Sequence, residues 1–153
     1  MEKLLIGSHV SFKKDTQLLG SVEEALSYGA NTLMLYTGAP QNTARSEINS
    51  ELTTKADELL KINNIDKSKI IVHGPYIINL ANGDPFAVNF LKEEVKRCET
   101  LGLYNLVLHP GSHVKLTREE GINNIINGLN EILKEETKVN ILLETMAGKG
   151  TEI

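Results

Sequence analysis

The sequence predicts an α/β chain in which about five parallel strands alternate with four helices. Two observations carry that prediction. Short apolar runs alternate with longer amphipathic ones along the whole chain, the pattern of repeated βα units that build a parallel sheet. Residues 32–36 are apolar without a polar alternate, as expected for a strand covered on both faces.

Each element has its own signal. Residues 4–8 form a first apolar run, leading into Gly7-Ser8-His9. Residues 21–28 read as a helix closed by Gly29, and residues 32–36 as the second strand. Residues 47–63 are amphipathic, with Leu52, Ala56, Leu59 and Leu60 on one stripe. Residues 70–72 are β-branched and run into His73. Residues 85–102 have Asp84 as N-cap, Pro85 in the first position and Gly102 at the end, a complete set of helix signals. Residues 106–108 run into His109. Residues 117–136 open with the capping box Thr117-Arg118-Glu119-Glu120. Residues 139–143 form the fifth strand, ending at Glu144. No linker or low-complexity stretch intervenes, so residues 1–153 read as a single domain. A closed eight-stranded barrel takes about 250 residues. Five strands therefore imply an open sheet or part of a barrel.

Composition narrows the class. The chain is 41% hydrophobic and 24% charged, as in soluble globular proteins. No stretch approaches the ~18 apolar residues of a membrane span. The run Leu4-Leu5-Ile6 stops at Gly7 and does not make a secretory signal, so a cytoplasmic location is expected. The single cysteine, Cys98, cannot form an intrachain disulfide. Its helical spacing to Val95 and Leu101 predicts a buried structural thiol. The net charge of −4 excludes nucleic-acid binding by bulk charge and leaves only a local basic face. Lys13, Lys14, Arg45, Lys115, Arg118 and Lys149 lie in or near segments that follow strands, whereas Glu23, Glu24, Glu93, Glu94, Glu135 and Glu136 lie on predicted helices.

In both open and closed α/β folds, function gathers at the carboxyl ends of the strands. His9, His73, His109 and Glu144 fall at those ends, and His113 follows in the loop after His109. His73 and His109 are 36 residues apart, and His109 and Glu144 are 35 apart, about one βα unit each. The three would stand on successive strands about 4.8 Å apart. Two imidazoles and a carboxylate suit zinc with an open coordination position, or manganese or iron. A single histidine before Gly-Pro or Pro-Gly serves equally well to hydrogen-bond its turn; three groups in register favour a metal. His9 and His113 are placed as groups that support the ligands or contact phosphate. Gly148-Lys149-Gly150 lacks the upstream glycine and the helix of a phosphate-binding loop.

Several segments resemble the endonuclease IV family, in order along the whole chain: Gly7-Ser8-His9-Val10-Ser11, His73-Gly74-Pro75-Tyr76-Ile77-Ile78-Asn79-Leu80, residues 97–103, His109-Pro110-Gly111-Ser112-His113 and residues 143–150. The resemblance implies the N-terminal half of a TIM (β/α)8 barrel that carries up to three zinc ions. It implies a DNA-repair endonuclease that hydrolyses the phosphodiester 5′ to abasic sites in double-stranded DNA by a metal-activated hydroxide. His73 and His109 match ligands of one zinc, and Glu144 matches a catalytic carboxylate bridging it to a second. Tyr76 and Ile77 match a tyrosine–leucine pair that enters the DNA stack, with isoleucine for leucine. Gln41 and Asn42 fall where an arginine–glutamine pair is expected, and Arg45 is the candidate substitute for that arginine. The runner-up reading is a metal-dependent sugar isomerase or epimerase of the xylose-isomerase-like barrels; a third is a metal-binding fragment without catalysis. By itself the 153-residue chain is expected to be inactive, and to self-associate or to be part of a longer chain.

Overall fold

A computed structural model describes residues 4–153. Nine regular elements alternate: β1 (Gly7–Val10), α1 (Gln17–Ser27), β2 (Thr32–Leu35), α2 (Ser50–Ile62), β3 (Ile71–His73), α3 (Pro85–Leu101), β4 (Asn105–Leu108), α4 (Arg118–Leu133) and β5 (Asn140–Leu143). The strands form one sheet in the order β1-β2-β3-β4-β5, every neighbouring pair parallel. This is the partial TIM-barrel arrangement expected. No helix among the described residues is long and apolar enough to cross a membrane.

The sheet has two unlike faces. Val10, Leu33, Leu35, Val72, Leu106 and Leu108 are buried within one core that includes Leu18, Val22 and Ala25 of α1 and Leu91, Cys98 and Leu101 of α3. The opposite face carries Met34, Tyr36, His73, Val107 and His109. Burial in β2 alternates residue by residue, with Leu33 and Leu35 buried and Met34 only half-buried. The unalternating apolar pattern of residues 32–36 predicts cover on both faces, and the structure covers only one. Apolar residues on the inner face of a barrel await cover from the strands opposite. Cys98 is buried as expected, and that burial pushes its thiol far above the ordinary range.

Several boundaries differ from the sequence reading. The first strand is Gly7–Val10 rather than residues 4–8, because Asn31 occupies the earlier segment. Its carboxamide accepts from Ile6 N at 2.7 Å and donates to Leu4 O at 2.9 Å, while its own N–H donates to Ile6 O at 3.0 Å. Helix α1 begins at Gln17, four residues before the expected Ser21. Ser21 is buried inside the helix, its hydroxyl donating to Ser11 O at 2.7 Å. Helix α2 begins at Ser50 because Asn49 caps it, accepting from the amides of Glu51 and Leu52. The signals at α3 and at the start of α4 act as read: Asp84 caps Phe86 N, and the Thr117/Glu120 box is closed in both directions. Helix α4 ends at Leu133 rather than 136.

Strand β4, paired on both sides, should be a sensitive one. Leu106 is fully buried between the β3 and β5 ladders. Leu106→Ala is expected to cost about 3 kcal/mol, as for other leucine truncations in packed cores. Urea unfolding followed by circular dichroism checks it; a loss under about 1 kcal/mol would mean that the sheet is not the core of the fold.

Candidate metal centre

His73 closes β3, and His109 and Glu144 directly follow β4 and β5. In register, His73 pairs with Val107, and Val107 with Leu142. His109 and Glu144 lie two residues beyond Val107 and Leu142, so strand alternation sends all three side chains to the same face. One ligand atom from each lies within 4.8 Å of the other two. Glu144 Oε2 is 3.1 Å from His73 Nε2 and 3.5 Å from His109 Nε2. The two imidazoles meet edge to face, with ring centroids 5.1 Å apart.

The protonation chemistry of this set fits a cation. His73 Nδ1 is 2.8 Å from its acceptor, Gly74 O, and so carries a proton. That leaves Nε2 of the neutral ring with a lone pair aimed at a carboxylate oxygen, which is also an acceptor. Such a contact needs a shared proton or a cation between the two groups. His109 Nε2 points at the same oxygen. A metal-binding histidine whose other nitrogen is fixed by a backbone carbonyl is the usual arrangement for zinc.

An aromatic chain surrounds the triad. Tyr36 stands 5.2 Å from His73 and 4.5 Å from His9, centroid to centroid. Tyr76 stands 5.6 Å from Tyr36 and 6.1 Å from His109, and is 58% exposed. Burial, with Tyr76 and Glu144 nearby, pushes the Tyr36 phenol well above its ordinary range and keeps it a neutral donor. Sequence reasoning missed Tyr36. Its place at the end of the second apolar run was the available signal, and an aromatic there reads as core. His9 lies on the third residue of β1 rather than at its end, beside Tyr36. Burial, and then His73, lower its affinity for a proton. His113 stays outside the cluster: it is half-buried, its Nδ1 donating to Leu116 O at 2.6 Å. Ile77 is partly buried against the core behind Tyr76.

Arg45 does not reach the open face. Its side chain is 3% exposed and its Nε lies 2.5 Å from Glu94 Oε1, which is fully buried on α3. Nη1 donates to the carbonyls of Ala39, Asn42 and Ala44, and the guanidinium lies 4.8 Å over the Phe90 ring. The expectation that Arg45 replaces a DNA-contacting arginine is thus corrected: Glu94, on a helix as expected but buried, draws it inward. Thr37 and Arg97 extend the network. Arg97 donates to Thr37 O at 2.8 Å and Ser46 O at 2.7 Å, and burial lowers its pKa. The loop that bears exposed Gln41 and Asn42 is therefore tied down at both ends.

The profile of the xylose isomerase-like TIM-barrel family matches residues 22–153. The chain belongs to that family. It is 49% identical to a probable endonuclease 4 of Mesoplasma florum, 52% to that of Acholeplasma laidlawii and 53% to that of Oceanobacillus iheyensis. These alignments cover 97–100% of this chain and 51–55% of those proteins, so it spans about half their length. The resemblance to endonuclease IV read from the motifs is borne out. Among solved structures, endonuclease IV from Thermus thermophilus superposes with a TM-score of 0.76 at 20% identity, covering 97% of this chain and 55% of that one. A D-psicose 3-epimerase from Clostridium cellulolyticum superposes with a TM-score of 0.64 at 14% identity, covering 94% and 53%. At such identities the family shares a fold, and the fold alone does not choose between nuclease and epimerase.

Breaking the inner ion pair isolates its contribution. Glu94→Gln leaves a buried guanidinium without its counter-charge and is expected to cost roughly 3 kcal/mol. The double replacement Glu94→Leu with Arg45→Met should recover much of that loss. Urea midpoints of the two variants test this; equal losses in both would mean that the cost comes from losing the pair itself and not from a buried charge left unpaired.

Proposed function

We propose that this chain carries part of the active site of a metal-dependent DNA-repair endonuclease, which hydrolyses the phosphodiester 5′ to abasic sites in double-stranded DNA. The observation that carries the reading is the convergence of His73, His109 and Glu144 within 4.8 Å, in a chain about half identical to proteins named probable endonuclease 4. Zinc is the metal the donor set suits best; manganese or iron accept the same set.

His73 and His109 would hold one ion through Nε2, and Glu144 would complete its protein ligands and reach towards a second. A bound ion supplies Lewis acidity at a phosphoryl oxygen and generates a nucleophile from water at neutral pH. The chain's own groups orient these partners. Gly74 O fixes the His73 tautomer. Tyr36 offers a phenol that stays protonated beside the ligands. Tyr76 with Ile77, and Gln41 with Asn42 on the neighbouring loop, form the rim that faces the DNA; Tyr76 N donating to Pro40 O at 3.1 Å joins the two loops. His9 stands at the edge of the same face as a phosphate contact, while His113 supports the loop after His109. The enzyme is read as cytoplasmic, with residues 1–153 acting as one domain of the barrel.

The sugar-epimerase reading shares the fold, and parallel assays separate the two: incision of an abasic-site duplex with added zinc, and turnover of a ketose. In the complete enzyme, Glu144→Gln is expected to reduce incision by several orders of magnitude while duplex binding changes only a few-fold. Near-normal incision by that variant would remove Glu144 from the mechanism; ketose turnover without incision would favour the epimerase.

The 153-residue polypeptide studied alone should be inactive and should self-associate. Its outer strand β5 presents Leu142 and Leu143 at 41% and 49% exposure beside Ile126 of α4 at 49%. Light scattering and the same incision assay check this. A monomer that cuts abasic DNA at an enzyme-like rate would contradict the expected ligand set.

A further inference from the structure

Two of the three ligand-bearing loops are joined by a residue that touches none of the ligands. Asn79 lies in the loop after β3. Its Nδ2 donates to Ser112 O at 2.9 Å, and its Oδ1 accepts from Ser112 N at 2.9 Å. One carboxamide thus satisfies both backbone groups of a residue in the loop after β4, as a neighbouring strand would. The same loop continues the pattern on its other side. His113 N donates to Thr151 O at 3.0 Å, Ile153 N donates to Gly111 O at 3.1 Å, and the Ser112 and Thr151 hydroxyls are hydrogen-bonded.

His109 needs such a clamp more than its partners do. The last ladder bond between β3 and β4 is Gly74 N to Val107 O at 2.7 Å, and that between β4 and β5 is Glu144 N to Leu108 O at 2.9 Å. Both stop short of His109. The next acceptor along β3, Gly74 O, is taken by the His73 ring. Pro110 follows His109 and has no N–H to give. The first backbone N–H after His109 that is held by another strand's loop is therefore that of Ser112.

Two further features show that the contact is built in. Ile78 and Leu80, on either side of Asn79, are each 2% exposed, so the clamp stands on core-anchored backbone. Gly111 has φ +116°, and a Cβ there would lie 2.1 Å from Asn79 Oδ1, so only glycine admits the approach.

We propose that Asn79 is a positioning residue for the His73/His109/Glu144 centre, fixing the direction of His109 through the Ser112 backbone. The inference rests on reading that triad as a metal centre. Groups that orient metal ligands from behind typically change affinity 10–100-fold when removed. Asn79 acts through backbone, so the lower end, about tenfold, is expected.

The test uses Zn2+ alone, titrated into the complete protein against a chromophoric chelator. The site is identified as the binding component lost in His73→Ala. Asn79→Ala removes the clamp; Asn79→Leu removes both hydrogen bonds and keeps the volume, which separates the clamp from packing. Both should bind Zn2+ about tenfold more weakly at that site, at a temperature where chelator-treated samples are fully folded by circular dichroism. A purely structural role would lower the melting temperature and leave this affinity unchanged. Wild-type affinity in both Asn79 variants, with loss in His73→Ala, overturns the inference and leaves the metal reading standing. Undiminished Zn2+ binding in His73→Ala overturns both. Should the variants fold poorly, hydrogen exchange on the unmodified protein decides: a Ser112 amide exchanging as fast as an open loop overturns the clamp, and a protected one supports it.

Discussion

In a parallel sheet the side chains of each strand alternate between faces, and the pairing register decides which residues of neighbouring strands share one. Every group of the candidate centre depends on that constraint. The register aligns His9 with Met34, Met34 with Ile71, His73 with Val107 and Val107 with Leu142. All of these lie on the open face, as do Tyr36, His109 and Glu144, two residues further along their strands. A slip of one residue between β3 and β4 would turn His73 towards the helices and leave His109 facing out. The ligand set therefore exists only in one register.

The helices hold that register. Leu33, Leu35, Val72, Leu106 and Leu108 alternate with the site residues and are buried against α1 and α3. Each such side chain contributes about 1.5–3 kcal/mol when buried, and a slipped strand would expose several together. This packing also offsets the cost of placing His73 at 7% exposure and the Arg45–Glu94 pair in the interior. The strands are only three or four residues long, so the loops complete the alignment that the ladders begin. Tyr76 N to Pro40 O, Asn79 to Ser112 and Thr151 to His113 run from the second strand's loop to the fifth's.

Element types were legible because hydrophobic periodicity is a local signal. Boundaries failed where a distant side chain competes for backbone: Asn31 at the first strand, and Gln17 at α1, which accepts from Asn49 N and donates to Glu47 O across the next loop. Nothing within a ten-residue window announces those contacts. The triad was legible because βα units repeat at nearly constant length, so position in sequence stood in for position on a face. Arg45 was misread for the opposite reason. Its proximity to a missing arginine is a sequence relation, while its direction is set by Glu94 and Phe90, 49 and 45 residues away.

That inward turn changes how the proposed DNA face must work. A polyanion approaching a chain of net charge −4 needs local cations. Lys13, Lys14, Lys115, Arg118 and Lys149 are all exposed on segments that follow β1, β4 and β5. The loop after β2 spends its only arginine on holding itself in shape, and its tip presents the neutral Gln41 and Asn42. In the proposed enzyme, phosphate attraction would thereby be confined to the flanks, while the middle of the face would meet the duplex with amides and the Tyr76 ring. Charged contacts give affinity and steering without reading structure; hydrogen bonds and an inserted side chain respond to a gap in the base stack. On the proposed reading a buried Arg45 would separate the two tasks in space: the flanks would collect the backbone, and a loop held from inside by Glu94 would present the groups that meet the lesion.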